Sequence, residues 1–128
     1  MGVLIGSGNL LSEPIPVDEA ENHVFGLSLV NDWSARDIQT WEYIPLGPFL
    51  AKNFVTSISP WIITLEALEP FRCKSPKQEP EPFDYLKNKN DHNFDIELEI
   101  HLQTKEMNKS CVISRTNYNY LYWNMAQQ

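Results

Sequence analysis

Residues 31–39, NDWSARDIQ, place an acid, a base and a neutral amide within a short stretch of chain. Asp32, Arg36 and Gln39 follow one another at intervals of four and three, a spacing that on a helix projects side chains from one face. A carboxylate, a guanidinium and an amide gathered there suit a hard cation next to an oxygen that gains negative charge. A plainer reading uses the same residues. Asp32 accepts backbone N–H bonds as a helix N-cap, and Arg36 is its exposed partner one turn on. The local pattern leaves both readings open.

The elements that must position these residues follow from the flanking sequence. Residues 24–30, VFGLSLV, form a short apolar run that predicts a buried strand, with Gly26 marking a bulge or a close backbone approach. Residues 35–43 predict about two helical turns, ended by Pro45, Gly47 and Pro48. The β-branched residues at 61–65 predict a second strand, closed by a turn at Glu69 and Pro70.

Before this core, Gly6, Gly8, Asn9, Pro14 and Pro16 predict that residues 1–23 are irregular, with His23 flanking the first strand. After it, residues 70–93 are rich in Pro, Lys, Glu and Asn and predict a loop-rich surface segment, with Phe83, Tyr85 and Leu86 pinning it and His92 among its polar residues. Residues 94–102, FDIELEIHL, alternate apolar and polar and predict the clearest strand of the chain. Glu97 and Glu99 share a face of it, where a divalent cation or plain solvation would suit them. The turn at 104–110 then predicts a hairpin with residues 111–115, and the aromatic end predicts a helix with Tyr118, Leu121, Tyr122 and Met125 in one stripe.

Composition narrows the function classes. The 128 residues and a 42% hydrophobic fraction fit one ordinary domain spanning 1–128. A formal net charge of -7 with scattered Lys and Arg argues against nucleic acid as a partner, since phosphate binding needs clustered basic side chains. No apolar run approaches the roughly 20 residues of a membrane span, and no basic leader precedes one, so a soluble cytoplasmic protein is expected with no membrane partner. Cys73 and Cys111 are expected to be reduced, and neither they nor the three His have zinc-site spacing. Any metal would have to be held by oxygen.

One long stretch, GNLLSEPIPVDEAENHVFGLSLVNDWSARDIQTWEYIPLGPFLAKNFVTSISPW, resembles the fumarylacetoacetate hydrolase family. Looser matches follow through PKQEP, YL, FDIELEIHL and YLYWNMAQQ, so the resemblance covers essentially the whole chain. NDWSARDIQ followed by WEYxPLGPFLxK carries most of its specificity.

The resemblance implies a mainly β fold with short helices, the first part of a catalytic domain built as a mixed β-sandwich roll that forms a homodimer in the family. It implies hydrolysis of a carbon–carbon bond in a small diketo acid, fumarylacetoacetate, to fumarate and acetoacetate, in tyrosine and phenylalanine catabolism. It further implies calcium or magnesium on the diketone oxygens, water activated by a His–Glu pair, and a leaving carbanion stabilised as an enolate.

Carried over by position, Asp32 is implied as a metal ligand, with Lys52 and Thr56 as further contacts around the metal. Arg36, Gln39 and Lys52 are implied as the oxyanion-stabilising set, and Gln39 and Tyr43 as substrate contacts. Val55 stands where the family has a glycine before Thr56, and a glycine permits φ > 0, which valine adopts poorly. The family's Glu-x-Glu metal pair and general-base His correspond to positions before Met1, and the Glu orienting that His to a position after Gln128. The chain is therefore expected to be an incomplete catalytic domain that does not hydrolyse substrate alone. The alternative is a truncated paralogue or splice product acting as an interaction partner.

Overall fold

A computed structural model describes residues 1–89 and 92–128 of the chain, which forms two compact units. The first comprises Met1–Gly6 with Val24–Leu65, and the second Ser7–His23 with Glu66–Gln128. Short antiparallel sheets and few, short helices make up both, so the fold is mainly β.

In the first unit, β1 (Gly2–Ile5) pairs antiparallel with β2 (Val24–Ser28). The opening of the chain is thus more regular than its turn residues predict. The apolar GVLI precedes the first of those residues and finds a partner strand. The register shifts between Leu4 and Ile5, because Leu4 lies opposite Gly26 and Ile5 opposite Val24, leaving Phe25 as a bulge. The predicted strand at 24–30 is broken at Leu29, after which β3 (Val30–Asp32) begins in a different sheet. Helix α1 (Arg36–Glu42) follows, as predicted.

β4 (Thr56–Ile58) pairs with β3, setting Asp32 opposite Thr56 and Asn31 opposite Ser57. The Trp33 indole N–H donates to Ser57 Oγ at 2.9 Å and ties the two strands beyond their ladder. β5 (Ile63–Thr64) is shorter than predicted, because Leu65 opens α2 (Leu65–Leu68). Gly26 lies opposite Thr64, and a Cβ on it would stand 2.4 Å from the Ile63 carbonyl oxygen. Close backbone approach is thus what this glycine permits. Leu27, Ser28 and Ala51 are buried.

In the second unit, β6 (Arg72–Lys74) pairs with β7 (His92–Phe94), and β8 (Glu97–Leu102) with β9 (Cys111–Asn117). The predicted strand at 94–102 is therefore split. Asp95 N donates to Phe71 O at 2.8 Å and Tyr118 N to Ile96 O at 2.9 Å, so residues 95 and 96 bond outside both ladders. Phe94, Asn93, Tyr118 and Met125 are buried here.

Residues 90 and 91 of the predicted surface segment lie outside the described residues. The segment is less loop-rich than predicted, because its ends form β6 and the start of β7; between them it is held by amides and by Asp18, which accepts from Lys89 N at 2.8 Å, not by its aromatic rings. Gln78 Nε2 donates to Tyr122 O (2.6 Å) and Gln127 Oε1 (2.8 Å), and Gln127 Nε2 donates to Leu86 O (2.6 Å). Phe83 and Tyr85 stack on each other in solvent. No helix forms at the C-terminal end. Two 3-10 turns, Tyr118–Tyr120 and Met125–Gln127, stand there, each opened by an Asn whose side chain accepts a backbone N–H, with Leu121 extended between them. Asn117 and Asn124 offer the backbone this local alternative to a continuing helix. Cys73 and Cys111 are free.

Candidate functional site

The strand-to-helix turn after β3 builds the site. Asp32 ends β3 with non-helical neighbours, and α1 starts only at Arg36, with Ala35 at the N-cap and no side-chain cap. The capping role considered for Asp32 is thereby excluded. So is the shared helical face, because Asp32 stands on a strand and only Arg36 and Gln39 lie on α1. No ion pair joins Arg36 to Asp32 among the described residues.

Asp32 is instead met from a loop. Lys52 Nζ donates to Asp32 Oδ2 at 3.0 Å and to Ser34 Oγ at 2.7 Å, and the Ser34 hydroxyl donates on to the Asp32 carbonyl at 3.1 Å. The side chain of Asp32 is 56% exposed and that of Lys52 30%, so the pair opens to solvent on one side and is not sunk among aliphatic groups. An exposed ion pair of this kind adds little stability, about 0–1 kcal/mol. Its consequence is directional: an ammonium has three N–H donors, and two are spoken for.

Arg36 and Gln39 form the second pair. Arg36 Nη1 donates to Gln39 Oε1 at 2.8 Å, which fixes the amide so that its NH2 group faces away from the arginine. Among the described residues no hydrogen bond takes up the NH2 group of Gln39, which leaves it for an external acceptor. Tyr43 follows α1 at its C-cap, with its side chain exposed and its carbonyl accepting from Gly47 N at 3.1 Å. Gly47 has φ +89 in this turn, a conformation suited to glycine. Thr56 faces Asp32 across the β3–β4 ladder. Val55 is exposed and avoids positive φ, which among the described non-glycine residues is confined to Ser12, so the valine enters β4 without the strain its sequence position suggests.

Two residues of the site escaped the sequence reading. Ser34 sits inside NDWSARDIQ, and only the fold reveals that it meets Lys52. Glu42 ends α1, and its carboxylate accepts from the backbone N–H groups of Phe49, Leu50 and Ala51. A signal was present in the sequence, since Glu42 and Lys52 bracket a segment, 43–51, with no charged side chain.

Asp32 is one carboxylate already paired with an ammonium, and no group of three His, Cys, Asp or Glu that could hold a metal occurs among the described residues. Calcium prefers about six to eight oxygens. The residues present therefore do not make a cation site by themselves. Glu97 and Glu99 offer no substitute. Glu99 pairs with Arg115 at 2.5 Å and His101 at 2.8 Å, and Glu97 lies 3.7 Å from Arg115. The His101 and Arg115 hydrogen bonds hold the Glu99 carboxyl below the usual carboxylate range, as on a charged solvent face. His92, placed by sequence among loop residues, stands in β7, where it meets Glu21 (3.1 Å) and Arg72; Arg72 also pairs with Glu21 at 2.7 Å.

A family model described as fumarylacetoacetate (FAA) hydrolase C-terminal matches residues 1–128. The chain is 56% identical over 128 residues to the fumarylacetoacetase of Arabidopsis thaliana, 53% to that of Oryza sativa subsp. japonica and 49% to that of Homo sapiens. Each comparison covers 100% of this chain and 30% of the relative, so the chain spans about 30% of the length of the curated relatives it matches.

Proposed function

We propose a function from the premise that this chain belongs to the fumarylacetoacetate hydrolase family: it carries the donor half of a fumarylacetoacetase site. The reaction is hydrolysis of fumarylacetoacetate in tyrosine and phenylalanine catabolism. Water adds to a carbonyl carbon, the adjacent carbon–carbon bond breaks, and its electron pair leaves on the acetoacetate half as an enolate that is then protonated; fumarate is the other product. The observation that carries this reading is the pairing of donors. Lys52, oriented by Asp32 and Ser34, and Gln39, oriented by Arg36, each retain N–H groups for an oxygen gaining charge. Donors fixed in advance lower a barrier because they need no reorganisation when the charge appears.

In this reading Arg36, Gln39 and Lys52 stabilise the oxyanion, Gln39 and Tyr43 contact the diketo acid, and Asp32 with Thr56 borders a divalent cation. Calcium or magnesium, when bound, would polarise the diketone oxygens. Asp32 would be one ligand, and the others would come from the part of the relatives that this chain does not span. A homodimer within the sandwich-roll architecture and a cytoplasmic location belong to the same proposal. No helix among the described residues is long and apolar enough to cross a membrane.

The test is turnover by the full-length protein that contains this segment, followed as loss of fumarylacetoacetate absorbance with calcium or magnesium supplied. Appearance of fumarate and acetoacetate in equal amounts is expected. A folded protein that leaves this substrate intact under those conditions contradicts the proposal and favours a non-catalytic interaction partner.

A further inference from the structure

Lys52 must be aimed, and a long side chain at the end of an uncharged loop has no intrinsic reason to hold one direction. The chain supplies that reason at Glu42. Its Oε1 accepts from Leu50 N at 3.0 Å, and its Oε2 from Phe49 N at 2.8 Å and Ala51 N at 3.2 Å. Three consecutive amide N–H groups converging on one carboxylate form an anion nest, and each bond is strengthened by the charge. Burial pushes the Glu42 carboxyl up, yet the three amide bonds outweigh it and hold the group below its ordinary range.

The nest leads directly to Lys52. Ala51, the last of the three amides, is fully buried, and its carbonyl accepts from Ala35 N at 3.0 Å, next to the start of α1. Lys52 N donates to Phe49 O at 3.1 Å. The peptide units on both sides of Ala51 are thus fixed, and the Lys52 ammonium is delivered to Asp32 and Ser34.

We propose that Glu42 is the positioning residue of this site: by clamping residues 49–51 to the end of α1, its carboxylate sets where the Lys52 ammonium points. This rests on the reading in which Lys52 meets developing negative charge, and the experiment separates the two. In the full-length enzyme, Glu42→Gln keeps the size but turns one acceptor oxygen into an NH2 group facing amide donors. It should lower kcat by about tenfold or more while KM moves by less than about threefold, the signature of an interaction made chiefly in the transition state. Glu42→Asp, which keeps the charge and shortens the reach, should recover part of that loss. In a Lys52→Met background, Glu42→Gln should cost nothing further.

A second readout is independent of turnover. Acylation of Lys52 by limiting amine reagent, read by peptide mass spectrometry against exposed Lys105 and Lys109, should rise in Glu42→Gln as the ammonium leaves its partners. Unchanged Lys52 acylation in Glu42→Gln, or losses from Glu42→Gln and Lys52→Met that multiply in the double variant, would overturn the positioning role. Lys52→Met with full turnover, alongside Lys52 acylation that still responds to Glu42→Gln, would sink the catalytic reading and leave the positioning intact. Should Glu42→Gln fail to fold, Glu42→Asp carries both readouts.

Discussion

Arg36 occupies the Gln39 oxygen, so under the proposed function Gln39 offers the substrate its NH2 group, and this makes its substitution diagnostic. Gln39→Glu keeps the bond to Arg36 but presents a second carboxylate oxygen where the amide NH2 stood. A charge of the wrong sign then faces the developing oxyanion. In the full-length enzyme kcat should fall by about 10²–10³, the range for losing one preformed oxyanion donor. Glu42 gives a prediction in pH. Burial raises its carboxyl, but the three amide hydrogen bonds prevail and hold it below its ordinary value of 4.5 in the fold. A lowered carboxyl contributes stability that is complete above the ordinary value and is lost as pH falls through the folded one. Hydrogen-exchange protection of the Phe49, Leu50 and Ala51 amides should therefore hold near neutrality and fall on acidification below about 4.5. Protection that improves in acid would contradict the clamp.

At the scale of elements, the β1–β2–β5 sheet depends on a missing side chain. A methyl group on Gly26 meets backbone, the Ile63 oxygen at 2.4 Å, and backbone gives way only by moving the strand. Gly26→Ala should cost about 1–3 kcal/mol in denaturant unfolding, the range for overpacking; a neutral effect would mean that β5 does not lie where it is described. Asn124 closes a reciprocal capping box with Gln127, and Gln127 also holds Gln78 and Leu86. Asn124→Ala should cost about 1 kcal/mol, the typical value of a cap. These elements show what the sequence disclosed. The helix at α1 and the β8–β9 hairpin follow from local pattern, because each is decided within a short span of chain, while Gly26 announces a close approach without disclosing that Ile63 makes it. The breaks at Leu29 and at residues 95–96 do not, since both are set by which partner strand the chain meets and not by its own alternation. The same holds for the site: NDWSARDIQ marks the place, while the partner of Asp32 lies twenty residues on, just past the amides that Glu42 holds.

Across the molecule as a whole, many large apolar side chains face solvent, among them Trp41 at 89% exposure, Ile44, Leu46 and Trp61 in the first unit and Ile100 and Ile113 in the second. Exposed apolar surface on this scale marks a surface that is covered in use or prone to association. The 128-residue chain alone should bind a hydrophobic reporter dye and sediment heavier than a monomer; a dye-silent monomer would contradict this. The central claim is that the Lys52 ammonium, held by Asp32 and Ser34, faces the charge that develops during bond cleavage. Its most direct test is kcat for fumarylacetoacetate hydrolysis by the full-length enzyme carrying Lys52→Met, which removes the charge and leaves the stem. A loss of about 10²–10³ in kcat with the protein still folded is the predicted result, and turnover equal to that of the unsubstituted enzyme would contradict it.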